Sequence, residues 1–475
     1  MTKSVTKKIT LALIVANEFC ERYCFYGFRS LLFLFLKQSF KMTEPSSMRI
    51  VHFFIFSCYF FTFIGGIVSD TILGRYKTII YMSSLYLIGT IATTISAFTT
   101  NYLLMWIGLI LISIGTGGIK PCVSTFGGDQ CENGDQKHMK SFFSAFYFSI
   151  NAGSLISIFL SPLIAQKKCF GTDHCYPIAF GIPAVLLSIS LLLFLFGSAR
   201  FIKKEPDPTF SLMIFKILYK KFARKFTNRY AEYNSIKTVK ISEKSGLYEF
   251  FDEEDEIKME IKKAQKVLKI FAFIPFFWMI YDQQSTTWIE QGTKMKTNVN
   301  IFNHQVNIIP EQMQGFNGIL ILVFIPLFTR LIYPTIRRLG YQFDSIKKMN
   351  CGLMLASISF FISAFVEMHL EMKPCILWQV PQYIVLTAAE ILLALTGMEF
   401  VYSESPERIK GLILSAWLIT VAMGNFFVVI FTSIDIFRYF EIKNVDAWNY
   451  ILYGMIGLAA SYFFFKYSLS LSRSK

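Results

Sequence analysis

Glu18, Glu21, Arg22 and Arg29 lie inside an apolar run that extends from Ile9 to Leu36, long enough to cross a bilayer as one helix. Ionisable side chains in hydrocarbon cost several kcal/mol each unless they face protein or a water-filled cavity. Steps of three and four residues put these four, with Phe25 and Tyr26, on one helical face. A self-satisfied Glu18–Arg22 ion pair would be purely structural, and it would leave Glu21 and Arg29 over. Charges inside a membrane mark pathways for ions or substrates. The helix that carries them is therefore read as lining something wet.

The remainder of the chain has to hold that helix in a bilayer, and its composition is suited to the task. Of 475 residues, 53% are hydrophobic, 51 are Phe and only 17% are charged, the profile of a polytopic membrane protein and not of a soluble domain. Met1 to Thr10 carries Lys3, Lys7 and Lys8 and runs directly into a segment too long for the apolar part of a secretory signal, so the first helix is expected to be retained as a span. The net charge of +15 does not point to nucleic acid. Basic residues sit in short loops on alternate sides of the spans, which is the positive-inside pattern. The nine Cys are scattered and mostly within spans, where they act as small hydrophobes. No CxxC pair or Cys/His cluster reads as a metal site, and no nucleophile motif or phosphate loop suggests an enzyme. No Asn-x-Ser/Thr acceptor for an N-glycan occurs.

Apolar segments fall at about 9–36, 48–70, 77–98, 103–126, 141–165 and 178–197, then at about 267–288, 313–335, 347–367, 378–402, 410–433 and 447–468. The expected architecture is an all-α membrane protein of about twelve transmembrane helices in two six-helix halves, residues 1–197 and 267–475, joined by a basic linker over 198–266. Lys3, Lys7 and Lys8, the Gly74-Arg75-Tyr76-Lys77 turn, the linker, Arg337-Arg338 with Lys347-Lys348, and Arg473 with Lys475 share one side, taken as cytoplasmic. Lys37, Lys41 and Arg49, and Lys167-Lys168, run against the rule and are outnumbered. Leu247 to Lys266 in the linker reads as an acid-first, base-last helix suited to the helix dipole, either lying on the membrane surface or serving as a tether. Cys169 and Cys175, close in sequence beyond the fifth span in an oxidising position, are expected to form a disulfide.

Several motifs narrow the reading. Gly66-Ile-Val-Ser-Asp70-Thr-Ile-Leu-Gly74-Arg75-Tyr-Lys77 resembles the loop signature of the major facilitator superfamily, in which Asp and Arg latch neighbouring helices. Glu18-Phe-Cys-Glu21-Arg22-Tyr-Cys-Phe25-Tyr26-Gly27 resembles the ExxERFxYYG signature of proton-coupled oligopeptide transporters. Gly115-Thr-Gly-Gly-Ile-Lys120-Pro121 with Phe126-Gly-Gly-Asp-Gln130, and Phe146-Tyr147-Phe-Ser-Ile-Asn151-Ala-Gly-Ser-Leu155, look like that family's fourth- and fifth-helix motifs. The resemblance continues through Phe277-Trp278-Met-Ile-Tyr-Asp282-Gln-Gln, Gln312-Met-Gln-Gly-Phe-Asn317, Pro381-Gln382-Tyr383 to Glu390, Gly397-Met-Glu-Phe-Val-Tyr402-Ser and Ser415-Ala-Trp417-Leu-Ile-Thr. It covers essentially every span, in order, and its detail is most similar to the animal-type di- and tripeptide carriers. With the duplicated plan and midplane charges, the expected mechanism is alternating access in a major facilitator fold.

Taken by chemistry alone, Arg22, Arg29 and Lys120 are cations of the first half and Glu390 an anion of the second. Such a pair of poles suits a zwitterion, holding the termini of a short peptide and reading no side chain. The resemblance implies Arg22, Arg29 and Lys120 near the peptide carboxylate, Glu390 on the amine, and Asn151 and Asn317 on polar groups. It further implies Tyr26, Tyr59, Tyr147, Trp278 and Trp417 around side-chain pockets, although bilayer packing explains any one aromatic equally well. Glu18, Glu21, Arg22 and His52 are assigned to proton coupling, with the proton as coupling ion and no cofactor or metal. Lys120 with Asp282, and Asp70 with Arg75, are the expected gates. Phe25 and Tyr23 depart from the signature. Lys266 and Thr329 stand where family members carry a helix-seven to helix-eight Arg–Asp latch, so that latch is not expected. The large extracellular domain of animal relatives is replaced by a short connection, about Glu367 to Cys375.

The leading expectation is proton-driven symport of di- and tripeptides across the plasma membrane, with both termini cytoplasmic. The expected partners are the peptides and the lipid bilayer, with no nucleic acid and no obligate protein partner. The same fold could carry nitrate or single amino acids, or act as a non-transporting nutrient receptor. Retention of Glu390, which an anion does not need, favours peptides. The short stub from Lys466 to Lys475 argues against a receptor with a signalling tail.

Overall fold

The computed structural model describes residues 2–131, 136–206, 264–265, 267–301, 304–405, 410–434, 436–440 and 442–473. The proposed linker helix Leu247–Lys266 lies outside these residues apart from Ala264 and Gln265. In the first half, helices α1 (Thr2–Gln38), α2 (Glu44–Val68), α3 (Arg75–Thr99), α4 (Tyr102–Asp129), α5 (Gln136–Ala165) and α6 (Tyr176–Phe196) follow the expected spans. Asn101 starts α4 by accepting from the Leu103 and Leu104 amides at 2.9 and 3.1 Å, satisfying free N–H groups of the first turn. Gly74, at φ +74°, makes the turn between α2 and α3 that an L side chain resists.

The second half is more broken. Helix α7 (Ile274–Tyr281) gives way to a 3-10 turn over Asp282–Ser285, and α8 (Thr287–Thr293) resumes; between them Thr286 leaves helical geometry at φ −138°, ψ −81°. Then follow α9 (Gln314–Leu327), α10 (Tyr333–Arg338), α11 (Ser345–Met368), α12 (Val380–Glu390), α13 (Thr396–Glu404), α14 (Lys410–Ile434), α15 (Ile436–Tyr439) and α16 (Val445–Arg473). A π turn over Ile391–Leu395 joins α12 to α13 immediately after Glu390, and such widened turns recur at functional sites. Nine helical segments among the described residues are long and apolar enough to cross a membrane. Helix α1, the broken α7–α8 segment and α16 occupy the first, seventh and twelfth positions. A small antiparallel hairpin pairs β1 (Asn298–Ile301) with β2 (His304–Asn307), an addition to the all-α expectation.

Each half has its own buried core. One is built on Phe28, Phe35, Phe126, Phe180 and their neighbours. The other is built on Phe277, Trp288, Phe360 and Tyr383. Outward faces remain apolar: Phe148 is 73% and Phe196 81% exposed, as lipid contact requires. The halves meet through α2 against α14 and α5 against α9.

Small residues set how closely the helices of the first half approach. A Cβ built on Gly65 would lie 2.5 Å from the Gly118 Cα, so α2 and α4 touch through their backbones. A Cβ on Gly153 would lie 2.7 Å from the Phe19 carbonyl, which fixes α5 against the charged turn of α1. Close approach of this kind is what small residues permit in membrane helices.

Candidate functional site

Arg22 holds both acidic neighbours. Its Nε lies 2.8 Å from Glu18 and its Nη2 2.6 Å from Glu21, all three buried. Glu21 also accepts from Thr116 Oγ1 on α4 at 2.7 Å. A buried carboxylate pair around one guanidinium is tolerable because the cation and the hydroxyl offset part of the desolvation cost. Lys120, one turn further along α4, rests its Nζ over the Phe25 and Tyr59 rings, 3.9 and 4.1 Å from their centroids. That ammonium is buried and has no hydrogen-bond acceptor among the described residues. It is held by ring faces and is poised to take an anion.

The second half presents the opposite sign. Asn317 on α9 donates to Glu390 Oε2 at 2.8 Å and to Thr387 Oγ1 at 3.1 Å, and Tyr281 donates to Asn317 Oδ1 at 3.4 Å. No cation of the described residues pairs with Glu390. Tyr26 lies within electrostatic range of Arg22 and Arg29 on its own helix and of Glu390 across the interface. The two poles thus sit on different halves, Arg22 and Lys120 on α1 and α4, Asn317 and Glu390 on α9 and α12.

A second network closes the end of the bundle remote from the chain termini. Arg29 pairs with Asp282 at 2.6 Å. The expected partner of Asp282 was Lys120. Arg29 takes its place because the 3-10 turn after α7 brings Asp282 to the α1 face, while Lys120 is retained by its rings. Asn425 on α14 donates to the other Asp282 oxygen at 2.6 Å. Asn425 also meets His52 Nδ1 at 2.8 Å, and His52 Nε2 meets Thr286 Oγ1 at 2.9 Å. His52, 0% exposed, thus spans from α2 to two elements of the other half. Lys37 adds a cross-interface pair to Glu290. At the opposite end, Arg75 bonds Asp129 at 2.5 Å, whereas Asp70 stands 3.8 Å from Arg75 and is exposed. The latch is chiefly Arg75–Asp129, with Lys204 on the same carboxylate at 2.6 Å.

Tyr147 and Asn151 lie on α5, Trp278 on α7 and Trp417 on α14. The Trp417 indole is 2% exposed, stacked edge-on against Phe271 and pressed over Gly397. It packs in the core of the second half. Tyr147 is 55% exposed, and Asn151 bonds back to the Tyr147 carbonyl. Trp278 stands edge-on to Tyr281, near the Glu390 cluster. Thr329 bonds its own helix at Ile325, and Lys266 lies outside the described residues. Cys169 and Cys175 are bonded to each other. Sequence reasoning passed over Asn425, Thr286, Thr116, Asp129 and the Lys37–Glu290 pair. A polar Asn in the middle of an apolar span was the available signal for Asn425.

Comparison with known proteins shows the family. The POT family (PTR2) model matches residues 76–440. Solute carrier family 15 member 2 of Homo sapiens is 37% identical over 376 residues, covering 77% of this chain and 50% of that one. Solute carrier family 15 member 1 of Canis lupus familiaris is 36% identical over 380 residues, covering 76% and 52%. The chain thus spans about half the length of the curated relatives it matches. Among solved structures, the in meso crystal structure of the POT family transporter PepTSo superposes with a TM-score of 0.80 at 25% identity, over 98% of this chain and 99% of that one. A proton dependent oligopeptide (POT) family transporter superposes at 0.74 with 26% identity, over 96% and 100%. The chain is a multi-pass membrane protein of the POT family.

Proposed function

We propose that the chain is a carrier and not an enzyme, and that it moves di- and tripeptides together with protons by alternating access. The observation that carries this reading is the presence of two oppositely charged poles on different halves: Arg22 with Lys120 on one, Glu390 with Asn317 on the other. A short peptide offers a carboxylate to the first and an ammonium to the second. Both poles act on termini, so side chains of many kinds are accepted. In the empty carrier Glu18 and Glu21 occupy Arg22. A proton taken up by either carboxylate frees the guanidinium for the peptide carboxylate. By reciprocity, peptide binding favours that protonation by the same factor. The proton is the coupling ion, and no cofactor or protein partner is called for.

Movement follows from the remote network. With Arg29–Asp282, Lys37–Glu290 and the His52 bonds intact, that end is shut; exposing the poles to it requires these bonds to break together. His52, in that network, is the proposed earlier proton acceptor on that route. The basic loops on the side of the termini support a cytoplasmic position for them, and the plasma membrane is the proposed location. The test is uptake of a labelled dipeptide by liposomes containing the protein, with free, acetylated and amidated dipeptides as competitors. Uptake blocked by the free dipeptide and little affected by the capped forms is expected; capped forms that compete equally well would overturn the two-pole reading.

A further inference from the structure

The residues that follow α6 are bound onto the first half as a strap. A 3-10 turn over Gly197–Ala199 leads to Arg200, Phe201 and Ile202, and Gln130 beyond α4 takes both backbone groups of Ile202. Gln130 Nε2 donates to the Ile202 carbonyl at 2.9 Å, and the Ile202 amide donates to Gln130 Oε1 at 2.8 Å. Phe201, 7% exposed, inserts among Tyr76, Phe126 and Phe194. Lys204 pairs with Asp129. A Cβ on Gly74 would lie 3.3 Å from the Lys204 carbonyl, so the strap crosses the α2–α3 turn in contact. This seat fixes which side chains the strap turns outward.

The outward edge is cationic and apolar. Arg200 and Lys77 are exposed, and neither side chain has a hydrogen-bond or ion-pair partner among the described residues. Lys203 is exposed as well. Its Nζ donates to Ser198 Oγ at 2.9 Å and lies 4.3 Å from the centroid of Tyr76, the neighbour of Lys77 in the first turn of α3. Beside these cations Ile202 is 48% exposed and Phe196, the last residue of α6, 81%. Glu205 is the strap's acidic residue, and it follows the cations in the chain. Helix α6 is long and apolar enough to span a bilayer, so this edge falls where hydrocarbon gives way to headgroups.

We propose that Lys77, Arg200 and Lys203 hold the headgroup of an anionic phospholipid, whose chains run along Phe196 and the outer face of α6. A guanidinium offers phosphate a fixed fork of donors, and ammonium groups add charge-assisted bonds. Basic residues next to a span attract anionic lipid, and apolar side chains at the same level enter the boundary of the acyl region. Every contact of the seat is made within the first half, so the site needs neither peptide nor proton and stands apart from the substrate reading.

Native mass spectrometry of the full chain in detergent, titrated with dioleoyl phosphatidylglycerol or dioleoyl phosphatidylcholine, measures which lipid is retained and how tightly. Wild type should retain phosphatidylglycerol in preference to phosphatidylcholine. Arg200→Ala/Lys203→Ala should weaken the tightest phosphatidylglycerol binding by about thirtyfold, the effect of removing two basic residues beside an anionic headgroup. Gln130→Ala keeps every cation but undocks the strap, and it should weaken binding in the same direction. Arg337→Ala/Arg338→Ala removes equal charge from the second half and should bind as wild type does. Equal retention of the two lipids by wild type, or a loss in Arg200→Ala/Lys203→Ala no greater than in the second-half variant, would overturn the proposal. Full retention in Gln130→Ala would overturn the fixed seat. Excess inorganic phosphate should leave the lipid in place; displacement by it would replace the lipid with a free anion.

Discussion

Replacing Asp282 by Asn isolates what the remote network contributes. The amide keeps the shape and can still accept from Asn425, but it removes the charge that Arg29 meets at 2.6 Å. In the closed form Arg29 is only 7% exposed, so its guanidinium becomes an unpaired buried cation. Breaking a buried pair in this way costs about 3–5 kcal/mol. In the open form water reaches Arg29 and most of that cost disappears, so the closed-to-open ratio should fall by up to about two to three powers of ten at 1.4 kcal/mol each. Distances between spin labels at Lys167 and Gln305 read the two populations directly. Arg29→Gln/Asp282→Asn, which has no orphan charge, should recover much of the closed population. A closed fraction unchanged in Asp282→Asn, or a double variant more open than the single one, would refute the assignment of this pair to the gate.

Other substitutions test separate parts of the structure. Glu390→Gln should impair dipeptide uptake far more than Tyr402→Phe, since only the first removes the proposed ammonium anchor; equal losses in a transport assay would contradict that anchor. Capping either terminus of a dipeptide should weaken competition by about 1.5–3 kcal/mol, the worth of a hydrogen bond to a charged group. Gly397→Ala should destabilise the protein by about 1–3 kcal/mol through overpacking, because the added Cβ would lie 2.3 Å from the Trp417 ring; thermal unfolding in detergent measures it. Reducing Cys169–Cys175, which closes a loop with a separation of 6 residues, should lower stability by no more than about 2 kcal/mol and leave uptake unchanged.

The spans and the charged face of α1 were legible because hydropathy and three-to-four spacing are local properties. The chain of bonds from Arg29 through Asp282 and Asn425 to His52 was not, because its register depends on the break after Tyr281. That break leaves no strong mark in Asp282-Gln-Gln-Ser-Thr286, so Lys120 was as reasonable a partner for Asp282 as Arg29. Trp417 shows the same limit from another side. An indole on an apolar helix fits a pocket wall or a core equally well, and Gly397 decided in favour of the core. The Asp70–Arg75 motif was read as a latch between neighbouring helices, and the carboxylate nearest the guanidinium is Asp129, brought by α4.

Proton coupling through the Arg22 cluster is tested most directly by comparing two modes of transport in one preparation. Liposomes carrying wild type or Glu21→Gln are given labelled dipeptide under an inward proton gradient, and separately by exchange against unlabelled dipeptide without a gradient. Wild type should concentrate the label in the first mode and exchange it in the second, while Glu21→Gln should lose accumulation and keep exchange. Glu21→Gln and Glu18→Gln that both concentrate peptide as wild type does would place the coupling outside the Arg22 cluster.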